Sequence, residues 1–114
     1  VSHHHNLMPS AVPPLMVLPA IVEAVEGAMP VFVDCGVQNG ADVLKALLLG
    51  ATAVSVGRPV MGAILEKGAR GAAETISKIT DELRGMMART ATPDLTHMDP
   101  SLLWTTQGRP LLDR

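Results

Sequence analysis

Residues 30–59 read PVFVDCGVQNGADVLKALLLGATAVSVGRP. Val31, Phe32 and Val33 form a short, largely β-branched apolar run that stops at Asp34 and Gly36, as a buried strand does. NGADVLKALLLG (39–50) is a helix, with Asn39 or Gly40 at its start and Gly50 at its stop. ATAVSVGRP (51–59) is a second buried strand that runs into a Gly-Arg-Pro loop. Strand, helix and strand in that order make a βαβ unit, whose two strands must run parallel.

The alternation continues on both sides. Val1 and Ser2 read as the end of an earlier strand. Residues 3–14 are loop, broken by Pro9, Pro13 and Pro14. LMVLPAIVEAVE (15–26) has helical spacing; Pro19 suits the first helical position and Gly27 the left-handed stop. Residues 60–71 read as a short helix with a turn. Residues 72–90 read as a long amphipathic helix with Ile76, Ile79, Leu83, Met86 and Met87 on one face. Asp81, Glu82 and Arg84 mark its solvated face. The tail, 91–114, is rich in turns, with apolar anchors at Leu95, Leu102, Leu103 and Trp104. Two full strands and one stump, with helices on one side, leave much apolar surface uncovered. The expectation is an α/β chain, 1–114, that is part of a larger fold.

Composition excludes several functions. With 2% aromatic residues and no Tyr, the chain lacks the stacking platforms that single-stranded nucleic acids use. The net charge is −2 and no basic run occurs, so nonspecific polyanion binding is not expected. No stretch approaches the roughly 18 consecutive apolar residues of a membrane helix. No basic region followed by an apolar run opens the chain, so no secretory leader is expected. A single cysteine, Cys35, excludes a disulfide within the chain and is compatible with a reducing compartment.

Two loops can carry chemistry. Asp34 to Gly40 follows the first strand, and Gly57-Arg58-Pro59 follows the second. Parallel α/β folds place their ligands at such strand ends. Glycine lets backbone N–H groups approach a phosphate, and the helix that follows each loop favours an anion at its N-terminus. Arg58 adds a permanently charged, planar donor fork. Gly36, Gly40 and Gly57 serve equally well as plain turn residues, and Asp34 as a helix cap. Cys35 reads as a small filler rather than a nucleophile, since no base is evident beside it.

His3-His4-His5 is a poor metal site: adjacent histidines point in different directions and no i,i+4 partner accompanies them. A tag remnant is an alternative. A histidine at a strand's end can also act as a general base.

From Val1 to Leu103 the chain resembles the C-terminal part of the FMN-dependent α-hydroxy acid oxidases and dehydrogenases. That family carries Asp-Gly-Gly-Val-Arg-x-Gly-x-Asp-Val-x-Lys-Ala-Leu-Ala-Leu-Gly-Ala, then a strand ending in Gly-Arg-Pro. The tail TPDLTHMDPSLL is similar to the family's last segment. The resemblance implies a TIM (β/α)8 barrel, of which this chain is the C-terminal third, from the end of strand six through helix eight. The N-terminal part of the same barrel would then be its partner. FMN is the implied cofactor, with Asp34, Cys35, Gly36, Val37, Gln38, Gly57 and Arg58 as its binding residues. Cys35 stands where the family has glycine, and Gln38 where it has arginine.

The family's sixth strand ends in Ser-Asn-His-Gly-Gly-Arg, where His removes the substrate proton and Arg binds the substrate carboxylate. In register with Val1-Ser2, the base falls on His4, with His5 one residue away, and the carboxylate site on Leu7. Leucine cannot make that charge-assisted pair. The expected function is FMN-dependent oxidation of a 2-hydroxy acid or related alcohol, with a small-molecule substrate and no metal. The alternative is a catalytically impaired relative that keeps the barrel for FMN binding or assembly. An inosine-monophosphate-dehydrogenase-like barrel fits less well, because Cys35 is not in a matching loop. Self-association, as a tetramer in many relatives, and an intracellular location, cytoplasmic or peroxisomal, complete the expectation.

Overall fold

The computed structural model describes residues 1–3 and 7–112. Two parallel strands, β1 (Phe32–Val33) and β2 (Ala53–Val54), pair with Phe32 opposite Ala53 and Val33 opposite Val54. Thr52 N–H donates to Val31 O at 2.7 Å, and Ser55 N–H to Val33 O at 2.8 Å. On the other edge of β1, the Val1 amine donates to Phe32 O at 2.8 Å and Asp34 N–H donates to Val1 O at 2.9 Å. Val1 therefore lies beside Val33 in parallel register, as the expected strand stump requires. The regular strands are shorter than the runs 30–36 and 51–59. Cys35 at φ 96° and Gly36 at φ 80° turn the chain off the sheet directly after Asp34, and Gly57 already belongs to the next helix.

Helix α1 (Pro14–Val25) starts five residues before the expected Pro19. Pro14 takes the first turn, where a missing N–H costs nothing. Pro19 lies inside and removes one i→i−4 bond. Helix α2 (Gly40–Leu48) is capped by Asn39, whose side chain accepts from Asp42 N–H at 2.9 Å. Asp42 Oδ2 in turn accepts from Gln38 N–H at 3.1 Å, so two otherwise orphaned donors are satisfied reciprocally. Helix α3 (Gly57–Arg89) joins the two segments expected at 60–71 and 72–90, with a break at Gly68, φ 61°. It begins at Gly57, so Gly57-Arg58-Pro59 is a first helical turn and not a loop. Pro59 is preset for helical φ and is tolerated there.

One core cluster fills the space between α1, the strands and α2. Leu18 and Val33 are fully buried there beside Val31, Ala46, Leu49 and Ala51. A second cluster, Val37, Val43 and Ile79 with Leu47 and Leu83 packed against it, fastens α2 to α3. Ile79 and Leu83 are thus the inward positions of the long helix, whereas Ile76 is exposed. Phe32 points to the face of β1 opposite Val31 and Val33 and is 59% exposed. Trp104 is not a buried anchor. It is exposed in a C-terminal hairpin, its indole N–H donating to Ser101 O at 3.1 Å.

Glu82 does more than solvate α3. Its Oε2 accepts from Gly40 N–H at 2.9 Å, which ties the positive end of α2 to the neighbouring helix. The approach is close enough that a Cβ on Gly40 would sit 2.1 Å from Leu83 N. Backbone cannot yield as a flexible side chain can. Gly40→Ala is therefore expected to lower stability by about 1–3 kcal/mol in chemical denaturation followed by circular dichroism; an unchanged midpoint would contradict this packing.

Candidate functional site

The register of β1 and β2 sets Asp34 and Ser55 side by side where the strands end. A hollow of about 390 Å³ opens there. Its wall contains Asp34, Cys35, Gly36, Val37 and Gln38 from the first strand-end loop, and Gly57 and Arg58 from the first turn of α3. All seven residues expected to bind a cofactor therefore lie around one space. Val37 contributes backbone, because its side chain is buried against Val43 and Ile79. His3, weighed in the sequence only as part of the histidine run, completes the wall with Ser55 and Met61, which the sequence did not single out. The expected base, His4, and its neighbour His5 lie outside the described residues. Leu7 is 82% exposed and is not among the residues lining the hollow.

The two sides of the hollow differ chemically. On the β1 side, Ser2 Oγ donates to Asp34 Oδ2 at 3.1 Å, and His3 Nδ1 lies 3.5 Å from the same oxygen. The Ser2 hydrogen bond is the main influence holding the Asp34 carboxyl below its ordinary value. Partial desolvation opposes it, while Ser55, His3 and Cys35 N–H add to it. Asp34 is thus a carboxylate at neutral pH, an acceptor for hydroxyl groups. On the α3 side, Val56 occupies the N-cap position and makes no side-chain cap. It leaves first-turn N–H groups for another acceptor, next to the Arg58 guanidinium. A Cβ added to Gly36 or Gly57 would meet no protein atom within 4 Å, so the backbone there is open to close approach.

Those two sides suit a molecule with a hydroxylated chain and a phosphate. FMN has both: its polyol matches the carboxylate acceptor and its phosphate matches the Arg58 and N–H donors.

The family model described as FMN-dependent dehydrogenase matches residues 1–105. The chain belongs to the FMN-dependent dehydrogenase family. Among similar members, an L-lactate oxidase of Roseobacter sp. (strain GAI101) is 45% identical over 109 residues, which is 95% of this chain and 30% of that protein. The 2-hydroxyacid oxidase 1 of Homo sapiens is 42% identical over 104 residues, 90% of this chain and 28% of that protein. A mandelate oxidase variant solved with a monooxide FMN adduct superposes with a TM-score of 0.68 at 44% identity, covering 71% of this chain and 26% of that one. The chain thus spans less than a third of the length of these relatives.

In this FMN-dependent dehydrogenase segment, Cys35 holds φ 96°, a left-handed backbone that glycine adopts freely and cysteine does not. The strain is of the order of 1–3 kcal/mol. Replacing Cys35 with glycine also frees the unfolded chain, at a cost of about 0.4–1 kcal/mol. Strain relief is the larger effect, so Cys35→Gly is expected to raise stability by about 1 kcal/mol; a lower thermal midpoint would show that the thiol's contacts outweigh the strain.

Proposed function

We propose that residues 1–114 form the C-terminal third of a (β/α)8 barrel, from the end of strand six through helix eight, in an FMN-dependent oxidase or dehydrogenase acting on a 2-hydroxy acid or related alcohol. The observation that carries this reading is the single hollow holding Asp34, Gly36, Gly57 and Arg58 at the ends of adjacent parallel strands. Exposed Phe32, on the sheet face that a barrel interior would cover, supports it.

Asp34 would accept from the ribityl hydroxyls. Arg58 and the uncapped N–H groups of α3 would hold the phosphate. FMN supplies the hydride-accepting ring when bound. His4 is the proposed base, supported by its place in the family pattern after Ser2. The remainder of the barrel would bring the other contacts. Self-association and an intracellular site, cytoplasmic or peroxisomal, belong to the same proposal and rest on family membership.

Leu7 shapes the substrate argument. A leucine offers no donor to a carboxylate, so a less acidic or more apolar substrate suits this loop better than a short 2-hydroxy acid. That observation, with Gln38 in place of a second arginine, also favours a second reading: a relative that binds FMN but catalyses poorly.

The full chain, assembled with the rest of its barrel, is expected to show flavin absorption at about 370 and about 450 nm. Arg58→Ala should weaken FMN binding at least about tenfold, since it removes the charge-assisted contacts. Colourless protein that takes up no added FMN would contradict the proposal. Leu7→Arg should raise kcat/KM for short 2-hydroxy acids about tenfold or more. No gain, in protein whose flavin is still reduced by substrate, would remove Leu7 from the substrate site; flavin that no hydroxy acid reduces would favour the second reading.

A further inference from the structure

We propose that Gly71 is a positioning residue for the phosphate: the close backbone contact it permits inside α3 sets the angle at which Arg58 and the first-turn N–H groups meet that group. The inference rests on the FMN reading above and adds the device that aims its phosphate side.

Helix α3 has two limbs. Residues 57–67 make the first, which carries Gly57 and Arg58. Residues 69–89 make the second, which packs Ile79 and Leu83 against α2. Between them Gly68 holds φ 61° and ψ −148°, a backbone that glycine adopts and residues with a side chain do not. The two buried residues of α3, Gly71 and Ile79, both lie in the second limb. Among the described residues, then, no buried side chain of the first limb fixes its direction. That limb is held at its start by β2, which it continues, and at its end by the elbow.

The elbow is a contact between backbones. A Cβ on Gly71 would sit 2.2 Å from Ala63 O and 2.8 Å from Ala63 C, with Lys67 Cβ at 3.0 Å. Only glycine lets the limbs close this far. Glu74 adds a strap: its Oε2 accepts from Lys67 Nζ at 3.3 Å across the break, and its Oε1 from Arg70 Nε at 2.8 Å within the second limb. Arg70 first, and then Lys67, hold the Glu74 carboxyl below its ordinary value. Exposed pairs of this kind contribute little on their own. The angle therefore depends on the approach of Gly71 to Ala63.

The first limb passes that angle to the site. From Ala63 back to Arg58 the helix is a stiff lever about 7–8 Å long. A side chain at position 71 must push the Ala63 backbone away by about 1 Å to regain ordinary contact. The limb then pivots about the end of β2, and both the Arg58 guanidinium and the first-turn N–H groups turn with it. Asp34 stays in place, because β1 carries it and Ser2 holds it. Loss of the elbow thus separates the two sides of the hollow: phosphate binding weakens and polyol binding does not.

The experiment is titration of the apo form of the full assembled chain with FMN and with riboflavin, the phosphate-free probe, read by quenching of flavin fluorescence. The readout is the preference for FMN, the Kd of riboflavin over that of FMN. Gly71→Ala should lower this preference about fivefold and leave the riboflavin Kd within about twofold of the parent. Gly68→Ala strains the same elbow without a clash, since its Cβ would meet no protein atom within 4 Å. It should lower the preference in the same direction, and it decides the matter if Gly71→Ala does not fold. Leu49→Val, a loss of packing in the first core cluster away from the hollow, is the control for destabilisation alone and should leave the preference unchanged.

A preference within about twofold of the parent in the folded elbow variants would overturn the role of Gly71 and leave the FMN reading intact. Equal weakening of both flavins, or an equal fall of the preference in Leu49→Val, would reduce the elbow to a structural role and overturn the inference. No FMN uptake by the parent would overturn the FMN reading, and this inference with it.

Discussion

The parallel register of β1 and β2 is the constraint on which the site depends. Val31 and Val33 are held against Leu18 and Ala46 on the helix side of the sheet. Because strand side chains alternate, Phe32 and Asp34 must then face the other way. A slip of one residue would drive the Asp34 carboxylate into that apolar cluster and turn a valine out, which core burial forbids. The same register sets Asp34 against Ser55 and Val1 against Val33. Those neighbours bring Ser2 and His3 to the carboxylate from 31 or more positions away in sequence. A few backbone hydrogen bonds thus decide which polar groups meet.

The hollow that results is divided. Its β1 side accepts hydrogen bonds, through a carboxylate that Ser2 and its neighbours keep ionised. Its α3 side donates them, through Arg58 and an uncapped helix start. The division matches the hydroxylated chain and the phosphate of FMN, and it follows from topology: one strand ends in an acid and the next runs straight into a helix N-terminus. Gly40 and Glu82 make the arrangement rigid by locking α2 to α3 beneath it.

The βαβ order and the loop after β1 were legible because their cues are local. Apolar β-branched runs stop at Asp34 and at Gly57, and Asn39 caps the helix between them. The seven residues that the family pattern assigns to the cofactor line one hollow. The start of α3 at Gly57 was not legible, because Gly-Arg-Pro reads as a turn until Pro59 is seen to occupy a first helical turn. Glu82 was read as a solvated charge because its partner, Gly40 N–H, lies 42 positions away. His3 was read only as one of a histidine run, because its contact with Asp34 comes from a register between Val1 and β1 that no local pattern encodes. Ser55 carried a weak signal, a polar residue between Val54 and Val56 two positions before Gly57.

The central claim is that these strand ends hold FMN by its phosphate and polyol. A crystal structure of the full assembled chain with FMN tests it most directly. The account predicts the phosphate within hydrogen-bond reach of the Arg58 guanidinium and the first-turn N–H groups of α3, with a ribityl hydroxyl on Asp34. A flavin whose phosphate lies away from Arg58, with Asp34 still bonded only to Ser2, Ser55 and His3, would contradict it.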